Sequence, residues 1–334
     1  MSLTSELDNL RSPISRFLRE RFPNVRDLQQ RYREPMADAA PLAPSDAAGV
    51  AYATLGWAFD WRLRFLLTPA PDLHLAFRGA SLLGERFRRL AVELFGVLGG
   101  TVRLGAGAAA GDPDPPAPAS GQGPAELDEE RLIRACYALA LYTEVFRGGP
   151  RRGSPLLGLT RGAGLGDLLG LASDAEVADL LALIAAARQV LLPAVGARGA
   201  PLHIGPRFAG AADVGGADAD VIARGLLVEW KVKLGDRRDG RRRCSLRQKV
   251  IHQLLGYLLL DYDDAYRIDA LGIYAARYAC LVTWPLGELL EELAGGPVDL
   301  VNVRTEFRTV VQATAEPRPT RSSARGRGPW PTRR

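Results

Sequence analysis

The sequence predicts a mixed α/β (α+β) protein, mainly helical over its first two-thirds. Three observations predict it. Apolar residues recur at helical spacing through most of the chain before Pro206. Beyond Pro206 the pattern changes to short β-prone runs. Those runs then alternate as two strands, a helix and two more strands, the order of a layered core and not of a helical bundle. The 334 residues, 47% hydrophobic and 24% charged, are typical of a folded chain with one large or two ordinary domains.

The elements follow in order. Leu3, Leu7, Leu10, Ile14, Phe17 and Leu18 predict an amphipathic helix over residues 1–35. Residues 36–50, rich in Pro and Ala, predict a connector. A helix is expected from Leu82 to Leu98. Residues 105–125 are low-complexity Gly, Pro and Ala, which cannot bury a core and predict a mobile loop. Helices return at Leu127–Phe146 and Asp174–Leu192. The glycines around Gly162–Gly166 predict a helix-boundary turn, because no strand leads into them. Strands are expected at Ala217–Ala223 and Leu226–Lys233, joined by a tight turn at Arg224-Gly225. A basic loop follows, then a helix over Ser245–Leu260 and strands over Ile268–Ala276 and Tyr278–Trp284. Pro285 opens a further helix and Gly295-Gly296 closes it. This divides the chain into a helical region (1–199), an α/β core (200–314) and a disordered basic tail (315–334).

Composition excludes several classes. The most apolar run, Leu180–Val195, contains Arg188 and falls short of a membrane span, so no membrane partner is expected. No basic stretch followed by an apolar segment opens the chain, so no secretory signal is expected. Cys136, Cys244 and Cys280 lie too far apart for a disulfide framework or a CxxC metal pair, which points to a reducing cytoplasm. The net charge is +5, and residues 315–334 carry six arginines against Glu316 alone. The remainder is therefore close to neutral, and any basic surface on it is local.

The chemistry is concentrated in one hairpin. With a two-residue turn at 224–225, Asp220 stands opposite Glu229 and Asp218 opposite Lys231. Alternate strand residues share a face, so all four ionisable side chains point one way. A four-residue loop keeps this register and a three-residue loop breaks it. Paired carboxylates repel and call for a cation. Hard oxygen ligands suit Mg²⁺ or Mn²⁺ and not zinc. The competing reading is an exposed hairpin with two ordinary ion pairs. Nine basic residues then fall between Lys231 and Lys249: those two with Lys233, Arg237, Arg238, Arg241, Arg242, Arg243 and Arg247. Alone they would make a solvated turn. Beside a carboxylate cluster they suit a phosphodiester. Lys249, Gln253 and Tyr257 recur on one helix face.

Asp220, Glu229-Trp230-Lys231 and Gln253-Leu-Leu-Gly-Tyr257, in that order, resemble the PD-(D/E)XK nuclease superfamily, and within it the RecB-like branch with its Gln-x-x-x-Tyr helix. The resemblance covers about residues 206–286. The chain lacks a proline before the first acid, the four cysteines of the iron–sulfur members and a GxxxxGK[ST] phosphate loop. The resemblance implies a restriction-endonuclease-like core, a mixed sheet flanked by helices. It implies metal-dependent hydrolysis of DNA rather than RNA, in repair, restriction or phage defence. Asp220 and Glu229 would bind Mg²⁺ or Mn²⁺, with Asp218 the second choice for the first acid. Lys231 would position and help deprotonate the attacking water. Gln253 and Tyr257 would orient the metal cluster or touch the nucleic-acid backbone. Arg237, Arg238, Arg241, Arg242, Arg243, Arg247 and Lys249 would bind nucleic acid.

An upstream helical acid often completes such sites, and Glu144 is the candidate. Its alternative is a surface pairing with Arg147 or Arg134. Tyr274, Arg277 and Tyr278 could line the groove, although core packing suits both tyrosines better. The competing function is a non-catalytic nucleic-acid-binding or complex-forming protein on a nuclease scaffold.

Overall fold

Pro13 and Pro23 divide the amphipathic N-terminus into three helices instead of one, because proline cannot supply the N–H that an unbroken helix needs. In the computed structural model, which describes residues 2–44, 51–99 and 127–315, these are α1 (Leu3–Asp8), α2 (Pro13–Arg21) and α3 (Arg26–Arg33). Ser12 caps α2 by accepting from the Ile14 N–H, with Pro13 in the tolerated first turn. The loop expected at 105–125 and the tail after Ala315 lie outside the described residues.

Among the described residues seven α-helices follow: α4 (Tyr52–Leu67), α5 (His74–Leu82), α6 (Glu85–Leu98), α7 (Glu129–Gly148), α8 (Leu165–Leu169), α9 (Asp174–Gln189) and α10 (Leu191–Arg198). Asp128 caps α7, and Ser173 with Glu176 forms a reciprocal capping box on α9. By length and composition the run Asp174–Arg198 could cross a membrane, and about a third of its most apolar window is buried inside the protein.

The remaining strands and helices are β1 (Leu202–Ile204), β2 (Val221–Ala223), β3 (Leu226–Lys231), β4 (Asp236–Arg238), β5 (Arg241–Arg243), α11 (Gln248–Leu260), β6 (Ala270–Ala275), β7 (Cys280–Pro285), α12 (Leu286–Ala294) and α13 (Leu300–Ala315). Five strands form a mixed sheet in the order β1-β2-β3-β6-β7. Among the described strands only β3 and β6 pair in parallel, and α11 lies in the connection between them. Gly295, left-handed at φ 79°, ends α12 as its sequence predicts.

The β2–β3 turn holds two residues, Arg224 (φ 40°) and Gly225 (φ 84°), both left-handed as the tightest hairpins require. Val221 pairs with Val228 and Ile222 with Leu227. The expected register is therefore present, although β2 is shorter than the run predicted from Ala217. The basic segment is not a loop. It is the β4–β5 hairpin, with Arg237 opposite Arg242 and Arg238 opposite Arg241.

Strand alternation divides the core in two. Val221, Ala223, Leu226, Val228 and Trp230 pack against α4–α10. Ile222, Leu227, Leu271 and Ile273 pack against α11–α13 and also α1–α3. The cores thus do not follow the expected boundary at 199/200: residues 3–36 join the second one. Arg277, fully buried in the turn after β6, ties the halves together. Its Nη2 lies 2.7 Å from Asp179 Oδ2 on α9, and its Nη1 donates to the Leu42 carbonyl at 3.0 Å.

Candidate active site

The hairpin register decides where the charged side chains go. Glu229 and Lys231 share a face with Leu227, which packs in the core around α11. There Glu229 Oε1 accepts from Lys231 Nζ (2.6 Å) and from Gln253 Nε2 (3.0 Å). Gln253 Oε1 accepts from the same ammonium at 3.3 Å. Its Nε2 also reaches Tyr257 Oη at 2.7 Å, and that hydroxyl donates to the Asp218 carbonyl at 2.9 Å. The one-turn spacing of Gln253 and Tyr257 thus fastens α11 to β3 and to the segment that leads into β2. Phe208 stacks on the Tyr257 ring and holds it in place.

Asp220 lies just before β2, and its Oδ2 accepts from the Trp230 N–H at 2.7 Å. Burial raises its pKa well above the usual carboxylate range. Glu229 and Asp60 raise it further, against the opposing pull of Lys231 and the Trp230 N–H. Burial also works against the Lys231 ammonium, but Glu229 and then Asp220 outweigh it and raise its pKa. Lys231 therefore stays protonated.

Asp60, on α4, is the acid that the sequence reading missed. Its Oδ2 accepts from Arg64 Nε at 2.8 Å. Burial opposes the Arg64 charge, yet Asp60, with Asp220 and Asp218 beyond it, raises the Arg64 pKa. Gly205, left-handed at φ 58°, leaves room for that guanidinium: a Cβ there would stand 2.7 Å from Arg64 Nη1. The available signal was a lone carboxylate in an otherwise apolar and basic helix, Tyr52-Ala-Thr-Leu-Gly-Trp-Ala-Phe-Asp60-Trp-Arg-Leu-Arg-Phe-Leu-Leu67.

Three buried or near-buried carboxylates, Asp60, Asp220 and Glu229, thus face two cations, Arg64 and Lys231. Two carboxylate oxygens, Asp60 Oδ1 and Glu229 Oε2, are buried without any hydrogen-bond partner. Such oxygens are costly unless something else occupies them. Asp220, Glu229 and Asp60 are the carboxylates that a hard divalent cation would draw on. As they stand, no three Asp, Glu, His or Cys side chains among the described residues gather closely enough to form a metal site. The Lys231 and Arg64 pairs occupy one oxygen of Glu229 and one of Asp60.

The other expected residues are placed as follows. Asp218 shares the neighbourhood, but its carboxylate pairs with Arg147 at 2.9 Å. Glu144 does not join the acids. Arg151 holds it at 2.6 Å, because α7 turns it toward the loop that follows and toward Thr54 of α4. Lys249 is paired with Asp8. Arg247 is exposed, 3.8 Å from Asp236. Arg237, Arg241, Arg242 and Arg243 are exposed on the small hairpin, and the Arg238 side chain lies outside the described residues. Tyr274 and Tyr278 are buried packing residues, and Arg277 is buried in its pair with Asp179.

One cleft borders Lys231 and another borders Asp60 and Asp218. The first, of about 460 Å³, is lined by Lys231, Lys233, Arg242 and Arg247. The other, of about 480 Å³, is lined by Asp60, Asp218, Arg64, Arg147 and Arg207. No family model, curated protein or solved structure matches this chain.

Proposed function

We propose that this protein is a metal-dependent nuclease that hydrolyses phosphodiester bonds, with DNA as the substrate and a restriction-endonuclease-like core as the scaffold. The observation that carries the reading is the charge deficit around Asp220. An unpartnered Glu229 oxygen and an acid pushed toward protonation lie beside a lysine kept charged, with an unpartnered Asp60 oxygen on the far side of Asp220 and a basic cleft bordering that lysine. The sheet supports the scaffold assignment: an antiparallel hairpin bearing the acids, a parallel neighbour, and the Gln253–Tyr257 helix in the connection between them.

Asp220, Glu229 and Asp60 would hold Mg²⁺ or Mn²⁺, which when bound supplies Lewis acidity to the phosphate and lowers the pKa of water. Lys231 donates hydrogen bonds to the incoming water or to a phosphate oxygen. Because it stays protonated, it stabilises developing negative charge and does not act as the base. Gln253 grips both Glu229 and Lys231, so it fixes the spacing of the acid and the ammonium. The cleft beside Lys231, lined by Lys233, Arg242 and Arg247, orients the phosphate backbone by charge.

A second reading, a nucleic-acid-binding scaffold without catalysis, draws on the close Lys231–Glu229 and Arg64–Asp60 pairs, which resemble a self-satisfied structural network. Plasmid and oligonucleotide substrates incubated with Mg²⁺, Mn²⁺, Ca²⁺ or EDTA separate the two. The nuclease cuts with Mg²⁺ or Mn²⁺ and is stopped by EDTA. Lys231→Ala then loses at least about a hundredfold in rate while keeping its fold and most of its DNA affinity. Binding without cutting under every condition supports the scaffold instead.

A further inference from the structure

The cleft on the Asp60 side contains aromatic platforms as well as charge. Trp57 is half-buried on α4, and the Arg147 guanidinium lies over its ring at 5.4 Å. Arg147 is held there by Asp218 at 2.9 Å. Trp61 is buried, its Nε1 donates to Thr143 Oγ1 at 3.0 Å, and Arg64 lies over it at 5.5 Å. Trp61 is therefore a fixed wall, and Trp57, half-buried and covered by Arg147, backs the exposed guanidinium that a ligand can reach. Arg207, at the rim, keeps 55% of its side chain exposed. It makes a long ion pair with Asp72 at 3.9 Å, which a phosphate could join or displace.

Planar cation and indole surfaces near a phosphate-binding arginine match one class of ligand. A nucleobase stacks on the aromatic and guanidinium faces, and its phosphate meets the arginine. A base inside a duplex has both faces covered by its neighbours and cannot use such a platform. An unstacked base can. The volume of about 480 Å³ is that of a small-molecule site, room for about one nucleotide and not for a double helix. Asp60 and Asp218 line the same cleft, so a nucleotide seated there has its backbone beside the acid cluster.

We propose that this cleft is a single-strand subsite. An unpaired base next to the scissile phosphodiester stacks on the Arg147 guanidinium that Trp57 backs, and its phosphate binds Arg207. The assignment rests on the hydrolytic reading for its place beside the reacting bond, and it makes single strands or frayed ends the preferred substrate over intact duplex.

The test is binding of the full chain, in EDTA and low salt, to fluorescein-labelled oligo(dT) and to a blunt duplex of equal length. The wild type should bind the single strand about tenfold more tightly than the duplex, or better. Trp57→Ala should weaken oligo(dT) binding about tenfold and duplex binding little, and Trp57→Phe should restore most of the loss. Arg207→Gln should reduce the log–log salt slope for oligo(dT) by about 0.7, the share of one phosphate contact. If Trp57→Ala fails to fold by circular dichroism, the Phe and Gln variants carry the test. Equal affinity for both substrates in the wild type, or a Trp57→Ala effect that is absent or the same for both, overturns the subsite. Cleavage is scored separately. Selective, Trp57-dependent single-strand binding with no cutting in Mg²⁺ or Mn²⁺ supports the subsite and overturns the hydrolytic reading. Cutting without strand selectivity does the reverse.

Discussion

Asp220 bears the strain of the acid cluster. Its folded-state pKa is raised by burial, then by Glu229 and Asp60, whereas an unfolded aspartate titrates near about 3.9. The folded state therefore holds this proton more tightly than the unfolded state. The associated stability is present below about pH 4 and is lost as pH rises through the raised value. Asp220→Asn removes the loss and keeps an oxygen for the Trp230 N–H. In EDTA its melting temperature should exceed that of the wild type at pH 7–8, with the gap closing toward pH 4. A gap independent of pH would contradict the assignment. Millimolar Mn²⁺ should raise the wild-type melting temperature by mass action and leave the variant unmoved.

Two other acids distinguish what was legible from what was not. Glu144 looked like the upstream ligand because apolar neighbours surround it, but its actual neighbour Arg151 lies in a segment without pattern. Asp60 went unread because nothing local links α4 to a strand about 160 residues further on. Asp60→Asn should lower cleavage by at least about tenfold, and Glu144→Gln should leave cleavage within about twofold. The reverse ranking, measured on folded protein, would restore Glu144 to the site.

At the scale of elements, legibility follows how local the determinants are. The β2–β3 hairpin could be read to the residue because its register depends only on turn length and alternation. The Gln253–Tyr257 face could be read because one helical turn separates the two. The β4–β5 hairpin could not, since repeated arginines show no alternation of polarity. Helix α4 lacked the narrow apolar stripe that marks an exposed helix, because it is buried on several sides.

The docking of α2 on α11 also left no sequence signal, but it leaves a titration signal. His252 on α11 is buried, and this, with Arg19 of α2 nearby, pushes its pKa down to about 4, against a hydrogen bond to the Phe22 backbone. Its stabilising contribution is complete above the unfolded value of about 6.5 and is lost as pH falls through 4, on the order of 3 kcal/mol at most. His252→Gln should flatten the stability curve between pH 7 and pH 4.5 in urea unfolding. Parallel curves for the two proteins would remove His252 as the cause.

Over the whole molecule, the site belongs to neither core alone. Asp60 and Arg64 come from the helical body, Gln253 and Tyr257 from the opposite layer, and the hairpin acids from the sheet between them. A clamp that keeps the layers in register is therefore part of how the site is built. The Arg277–Asp179 pair is such a clamp, with both groups almost wholly buried and Leu42 tied in by two further hydrogen bonds. Removing one partner strands the other charge, so Arg277→Met should cost about 3–5 kcal/mol. Replacing both, Arg277→Met with Asp179→Leu, should recover much of that loss, since no buried charge remains. Cleavage should not recover in step, because the apolar pair lacks the directional hydrogen bonds that fix α9 and the 37–44 segment against the sheet. Stability and activity measured on the single and double variants separate the two effects. A double variant that regains stability and full activity together would show that the halves stay in register without the clamp. One that regains stability but still cuts slowly would establish the clamp as the device that aligns the acids of the two layers.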